Sequence, residues 1–195
     1  MAIDEWLTVT GEIPVLRSYR WTPGWGSFGY FVKVADLNGE GMKWVRRWTG
    51  GGIVDHRDDW TYTLFVPRGH DLAEERGGGS YRSIHSALVT ALNDYGTQAK
   101  LAGPLPPAAG GECFVQPVEH DILDSSGRKI AGAGQRRTSK GLLHQGSVVT
   151  AGRAEVALAE GIAKKVVAWE GKPDLGWIEQ KVVEKYGAEE WFARR

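Results

Sequence analysis

After a helical start, apolar residues recur with a period of two up to about residue 66, with a period near 3.6 over residues 80–101, and return to strand patterning before the closing helices. The first ten residues suit a short helix ending near Gly11. Val15, Arg17, Tyr19 and Trp21 then alternate with Leu16, Ser18 and Arg20 as a strand, and Pro23-Gly24 turns the chain. Ser27 to Val34 reads as a second strand, Gly39 to Gly41 as a turn, and Met42 to Arg47 as a third strand. Trp60, Tyr62, Leu64 and Val66 alternate again. Ile84, Leu88 and Leu92, with Ala87 and Ala91 between, predict a long helix over Ser80 to Leu101, capped by Ser80 or Ser83. Three prolines between Gly103 and Gly111 impose a loop. Glu112 to Asp124 and Arg128 to Ala131, joined by Ser125-Ser126-Gly127, read as a hairpin; His144 to Val149 is a further strand, and Arg153 to Trp169 and Leu175 to Tyr186 are helical. Strands on both sides of one long helix, with helices closing the chain, predict an α+β fold with a mixed sheet. Too little chain follows the proline-rich loop for two cores, so residues 1–195 read as one domain.

Composition narrows the partners. The 24 Lys plus Arg equal the 24 Asp plus Glu, so no global field favours nucleic acid or an anionic membrane, and neither is expected as a partner. Met1 leads into Ala2-Ile3-Asp4-Glu5-Trp6-Leu7 with no basic segment or apolar core of a signal peptide, and nowhere do about 18 apolar residues run together. A soluble, cytoplasmic protein is the expectation. One cysteine, Cys113, forms no intrachain disulfide and leaves a thiol for chemistry. Nine tryptophans are many for this length and predict core or cleft residues.

Three glycines, Gly50-Gly51-Gly52, lie between Arg46-Arg47-Trp48-Thr49 and Ile53-Val54-Asp55-His56. Without Cβ, such a run lets backbone approach a ligand or turn sharply inside a β region. A lone free cysteine is commonly a small buried hydrophobe, and a lysine beside a turn is commonly solvated, so Cys113 and Lys129 carry little taken singly. His56 closes a β turn; His144 suits a satisfied core histidine as well as a functional one. Five scattered histidines, with no His-Glu-x-x-His and no cysteine pair, give no metal-ligand spacing, so no metal is expected. Gly77-Gly78-Gly79 precedes the long helix but lacks the Gly-Lys-Ser/Thr of a nucleotide phosphate loop.

Three separated motifs change that weighting: the glycine run, Lys129-Ile130-Ala131-Gly132-Ala133-Gly134-Gln135-Arg136-Arg137, and Leu142-Leu143-His144-Gln145-Gly146-Ser147. Together and in this order they resemble the lipoate- and octanoate-attaching protein ligase family, over nearly the whole chain. Cys113-Phe114 and Pro117 further resemble the Cys-Phe-x-x-Pro sequence of its cysteine-dependent octanoyltransferase and lipoyl amidotransferase branch. The resemblance implies the biotin/lipoate ligase catalytic fold, Cys113 as the nucleophile that carries the acyl chain as a thioester, and Lys129 as the cation at the acyl carbonyl. Arg47, Thr49, Gly50, Gly51, Gly52, His56, Gly132, Gln135, His144 and Gly146 are then its substrate-binding set. Val115, Gln116 and Val118 depart from the small and polar residues common in that branch; relative to the family, the strand before the Asp4-Glu5 helix and the insert between the His144 strand and the last helices look trimmed, and the accessory domain of many ligases is missing.

The implied substrate is a flexible alkyl chain, for which an apolar tunnel gives about 0.8 kcal/mol per buried methylene. Trp48, Trp60, Tyr19 and Phe28 are the expected walls. The implied partners are a lipoyl domain or a glycine cleavage H-like protein as acceptor and an acyl carrier protein as donor. An acyltransferase needs no cofactor, whereas the alternative, an ATP-dependent lipoate ligase, needs ATP and magnesium. A third reading is a non-catalytic acyl-binding relative, against which the retention of both Cys113 and Lys129 counts.

Overall fold

The computed structural model describes residues 1–76, 78–104, 117–150 and 152–194. Helix α1 (Ala2–Thr10) ends where Gly11 N donates to Leu7 O. Strand β1 (Val15–Tyr19) follows, then β2 (Trp25–Phe28), β3 (Lys43–Arg46), β4 (Ile53–Asp55) and β5 (Trp60–Pro67). The second strand is half the length that its apolar pattern predicts. Beyond Phe28, Gly29 N and Tyr30 N turn to Gly52 O and Thr49 O, and this pairing with the glycine loop carries the chain away from the sheet.

Helices α2 (Asp71–Glu74) and α3 (Gly79–Asp94) come next. α3 stops seven residues short of the predicted Leu101. Gly96, at φ 82°, takes the left-handed position after Tyr95, with Thr97 N bonded to Leu92 O and Gly96 N to Asn93 O, a Schellman ending. Neither predicted serine caps its start: the N-cap is Gly78, Ser80 Oγ bonds Gln135 Oε1, and Ser83 Oγ bonds Glu75. Leu101 belongs instead to β6 (Lys100–Leu101), which pairs with β7 (Ile122–Leu123). β8 (Lys129–Thr138) and β9 (Gly141–Val148) form a long hairpin, and α4 (Glu155–Ile162), α5 (Leu175–Lys181), a π-helical turn (Val182–Tyr186) and α6 (Glu189–Phe192) close the chain. α4 is half its predicted length because Val166 and Val167 beyond it are exposed and offer no buried face to sustain a helix.

Among the described residues the strands form two sheets. One is antiparallel throughout, in the order β1-β5-β9-β8-β7-β6; the other, β3-β2-β4, pairs β2 parallel to β3 and antiparallel to β4. The mixed pairing foreseen from sequence is confined to the small sheet. Successive side chains of a strand face opposite ways, and β5 uses both faces. Trp60, Tyr62, Leu64 and Val66 pack on Ile84, Leu88 and Leu92 of α3 and Leu158 of α4, while Phe65 packs on Leu7 of α1 and on Val15. Each fully buried aliphatic side chain contributes about 1.5–3 kcal/mol relative to exposure. Thr61 and Thr63 share the Phe65 face, and the candidate site lies on that side.

Candidate functional site

Between this face of the large sheet and the small sheet lies a cavity of about 420 Å³. That is near the small end of ligand pockets, which run roughly from 300 to 1,000 Å³. Tyr19, Thr61, Gln145 and Ser147 line it from the large sheet, and Ser27, Ile53, Val54 and His56 from the small one. These large-sheet residues belong together by register, since Tyr19 and Ser147 both lie opposite Thr61. The glycine loop forms another wall. Gly51 adopts φ 92°, and a Cβ on Gly134 of β8 would stand 2.3 Å from Gly50 O, so loop and strand meet as bare backbone. Arg47 Nη2 fixes the loop by donating to Gly52 O at 2.7 Å, and Thr49 Oγ1 donates to Gln145 Oε1 at 2.8 Å.

Lys129 reaches the cavity through an irregularity in its strand. In an even ladder, residues three apart face opposite ways, and Lys129 would point away from Gly132. The β7–β8 register shifts instead: Ile122 pairs with Ala131, whereas its neighbour Leu123 pairs with Lys129. One extra residue on β8 restores the parity. The Lys129 side chain consequently lies over Gly132, where a Cβ would meet Cε at 2.7 Å and Nζ at 2.9 Å. Its ammonium pairs with Asp121 Oδ2 at 2.6 Å; the carboxylate side chain is 1% exposed and the lysine 36%. An ammonium held this way is suited to stabilise a thiolate or a carbonyl oxygen acquiring negative charge.

A hydrogen-bonded chain lies deeper. Arg47 Nη1 donates to Ser27 Oγ at 2.7 Å, which leaves the Ser27 hydroxyl hydrogen for His56 Nε2 at 2.6 Å. His56 Nδ1–H then donates to Asp59 Oδ2 at 2.6 Å, an acceptor that Ser147 Oγ also uses. Trp21 stacks on the imidazole, ring centres 4.2 Å apart and planes within 9°. Burial lowers the His56 pKa despite Asp59, so the ring is neutral; burial also pushes the Arg47 guanidinium down to about 10, which leaves it charged at neutral pH.

Of the residues singled out from sequence, Lys129, Arg47, Gly51, Gly52, His56, Gly132 and Gly146 line this cavity together. Thr49 and Gly50 support the loop from behind. Gln135 and His144 lie on the other face of the large sheet, toward α3: Gln135 Nε2 donates to His144 Nδ1 at 2.9 Å and Tyr62 Oη meets His144 Nε2 at 3.0 Å. His144 is thus a satisfied core histidine, held neutral by burial. Cys113 lies outside the described residues. Of the four expected aromatic walls only Tyr19 lines the cavity. Trp60 faces α3, Phe28 packs edge-on against Phe192, and Trp48 lies beneath Lys185 and Arg136. Sequence reasoning missed Asp121, Ser27, Asp59 and Trp21. Asp121 carried no local signal, since the hairpin sets Leu123 opposite Lys129 and the ion pair with Asp121 depends on the register shift.

The sequence model of the lipoyl protein ligase A/B catalytic domain matches residues 2–165. Octanoyltransferase LipM of Staphylococcus aureus (strain NCTC 8325 / PS 47) is 32% identical over 167 residues, covering 76% of this chain and 60% of that protein. The chain spans about 60% of the length of the first curated relatives it matches. Among solved structures, a T. acidophilum protein assigned as a lipoate protein ligase, with lipoic acid bound, superposes with a TM-score of 0.79 at 19% identity, over 98% of this chain and 91% of that one. The bi-partite lipoate protein ligase of Thermoplasma acidophilum, described with its E2 lipoyl domain, gives 0.73 at 18% identity, over 97% and 89%. At such identities the likeness is one of fold.

Proposed function

Because this chain belongs to the lipoyl protein ligase A/B catalytic domain family, we propose that it is an acyltransferase that moves an octanoyl or lipoyl group through a Cys113 thioester onto a lysine of a lipoyl carrier domain. The observation that carries this reading is the Lys129 ammonium, aimed by a strand irregularity over Gly132 at the wall of a cavity lined by glycine backbone. The octanoyltransferase name of its sequence relatives supports the acyl class.

In the first step the Cys113 thiolate attacks the carbonyl carbon of an acyl thioester carried by an acyl carrier protein. The carbonyl π electrons move to oxygen, where Lys129 stabilises them. The tetrahedral species collapses by breaking the donor C–S bond, and the departing thiolate takes up a proton. In the second step the neutral ε-amine of the acceptor lysine attacks the enzyme thioester, loses a proton and releases the Cys113 thiolate. The acceptor is a lipoyl domain or a glycine cleavage H-like protein. The scheme assigns no step to ATP or a metal.

Incubation with octanoyl-carrier protein should add one octanoyl mass to the chain, absent in Cys113→Ser, and should modify a lipoyl domain without ATP. A parallel reaction holds free lipoate, ATP and magnesium. Product only in that second reaction, unaffected by Cys113→Ala, would identify a ligase and overturn the transferase.

A further inference from the structure

The carboxylate that pairs with Lys129 is held by a helix behind the cavity. Tyr81, on α3, donates its hydroxyl to Asp121 Oδ1 at 2.8 Å and accepts Ala133 N–H at 2.8 Å, so its oxygen is tied to β8 and to Asp121 at once. One helical turn on, His85 Nδ1–H donates to His120 O at 2.7 Å. Residues four apart share a helix face, so both side chains reach the same turn of backbone. That turn is unusual: His120 is the non-glycine residue with positive φ among those described, at 70°. Such a conformation persists where its surroundings over-determine it. Here Val118 N donates to Asp121 Oδ2, His120 N to Ala102 O, and Ala102 N to Asp121 O.

We propose that Tyr81 and His85 form a clasp by which α3 holds the 118–121 turn and, through Asp121, sets where the Lys129 ammonium stands in the cavity. Neither residue lines the cavity, so they are positioning residues and Lys129 is the group that meets substrate. The catalytic consequence rests on the reading of Lys129 given above, whereas the placement of its ammonium does not.

The test reads that placement directly. Trace acetylation of the full chain with acetic anhydride, mapped by peptide mass spectrometry, reports the reactivity of Lys129 against the exposed Lys100 and Lys140. An ammonium tied to a buried carboxylate is sheltered from the reagent, and one released from it reacts faster. Tyr81→Phe and Asp121→Asn should each raise Lys129 labelling by at least about threefold, with Lys100 and Lys140 unchanged. His85→Leu should act in the same direction. His85→Gln, which retains a donor for His120 O, should stay near the parent. In transfer assays, Tyr81→Phe should lower kcat about tenfold with KM for the acyl thioester within about twofold, as expected for an interaction felt in the transition state.

Parent-like Lys129 labelling in folded Tyr81→Phe overturns the clasp. A uniform rise at every lysine means that this variant has unfolded, and the His85 pair then decides: equal labelling in His85→Leu and His85→Gln also overturns it. Selective labelling changes in a chain that, parent included, transfers no acyl group uphold the clasp and remove the proposed function instead.

Discussion

Alanine at Gly132 and alanine at Gly146 should damage the protein in opposite ways. At Gly132 the new methyl meets Cε and Nζ of Lys129, the outer end of a side chain that can move, and stands 3.0 Å from the fixed Asp121 Oδ1. The ammonium is displaced while the sheet survives. Transfer should fall about 100-fold, as for loss of one charge-stabilising donor, with the urea midpoint almost unchanged. At Gly146 the methyl meets the ring of Tyr62 at 2.3 Å, and that ring is fully buried with its hydroxyl on His144. Overpacking there should cost about 1–3 kcal/mol or more of stability, read as a lower urea midpoint. Equal loss of stability in the two variants would contradict this division. Lys129, Gly132 and the glycine loop were legible in the sequence because their spacing resembles a family motif. The tryptophans were not, because aromatic content does not say which way a strand residue faces. Trp60 and Thr61 are neighbours, yet only Thr61 reaches the cavity.

Among the elements, Arg46 of β3 ties the C-terminal segment to the small sheet. Arg46 side chain is buried, and its donors go to the carbonyls of Tyr30, Val32, Phe192 and Arg194, each at 2.8 Å. Two of these acceptors belong to the end of α6, where carbonyls lack helical partners. Lys185 adds a second tie, bonded to Glu5 Oε2 at 2.7 Å and lying 4.3 Å over Trp191. Arg46→Lys cannot reach all these acceptors with one ammonium. It should lose about 2–3 kcal/mol of unfolding free energy, with hydrogen exchange in residues 189–194 rising first. Arg57→Lys, at an exposed ion pair, is the control and should change little. The ends of elements were partly legible. Tyr95-Gly96 carries the left-handed stop of α3 in plain view, whereas the early end of β2 depends on hydrogen bonds to residues 49 and 52 that no local pattern announces.

At the scale of the molecule, three histidines are buried and neutral. Burial is the first cause in each case: it lowers His56, takes His144 well below its ordinary value, and brings His85 to about 4. The unfolded chain binds protons near pH 6.5, so unfolding takes up protons between the folded and unfolded values. Their contribution is therefore fully present above about pH 6.5 and lost as pH falls toward 4; for His85 alone it is at most about 3 kcal/mol. Urea titrations from pH 7.5 to 4.5 should show the midpoint falling below 6.5, more shallowly in His85→Gln. A midpoint that rose on acidification would refute the assignment. The α+β class was legible from the periodicities, but the two-faced use of the large sheet was not. From Trp60 to Val66 every side chain of β5 is buried, so no polar alternation marks which face meets helices and which meets the cavity.

The extra residue in β8 bears on how this fold tolerates redesign. An idealised backbone would smooth the ladder between β7 and β8, pair every residue evenly, and give a sheet with fewer irregularities. Deleting Ile130 in the natural chain is the simplest such repair. That edit would leave Lys129 two residues from Gly132 and still on its face, but it would also remove Ile130, a buried core side chain, so the extra residue is what lets one strand aim a charge into the cavity and fill the core in the same stretch.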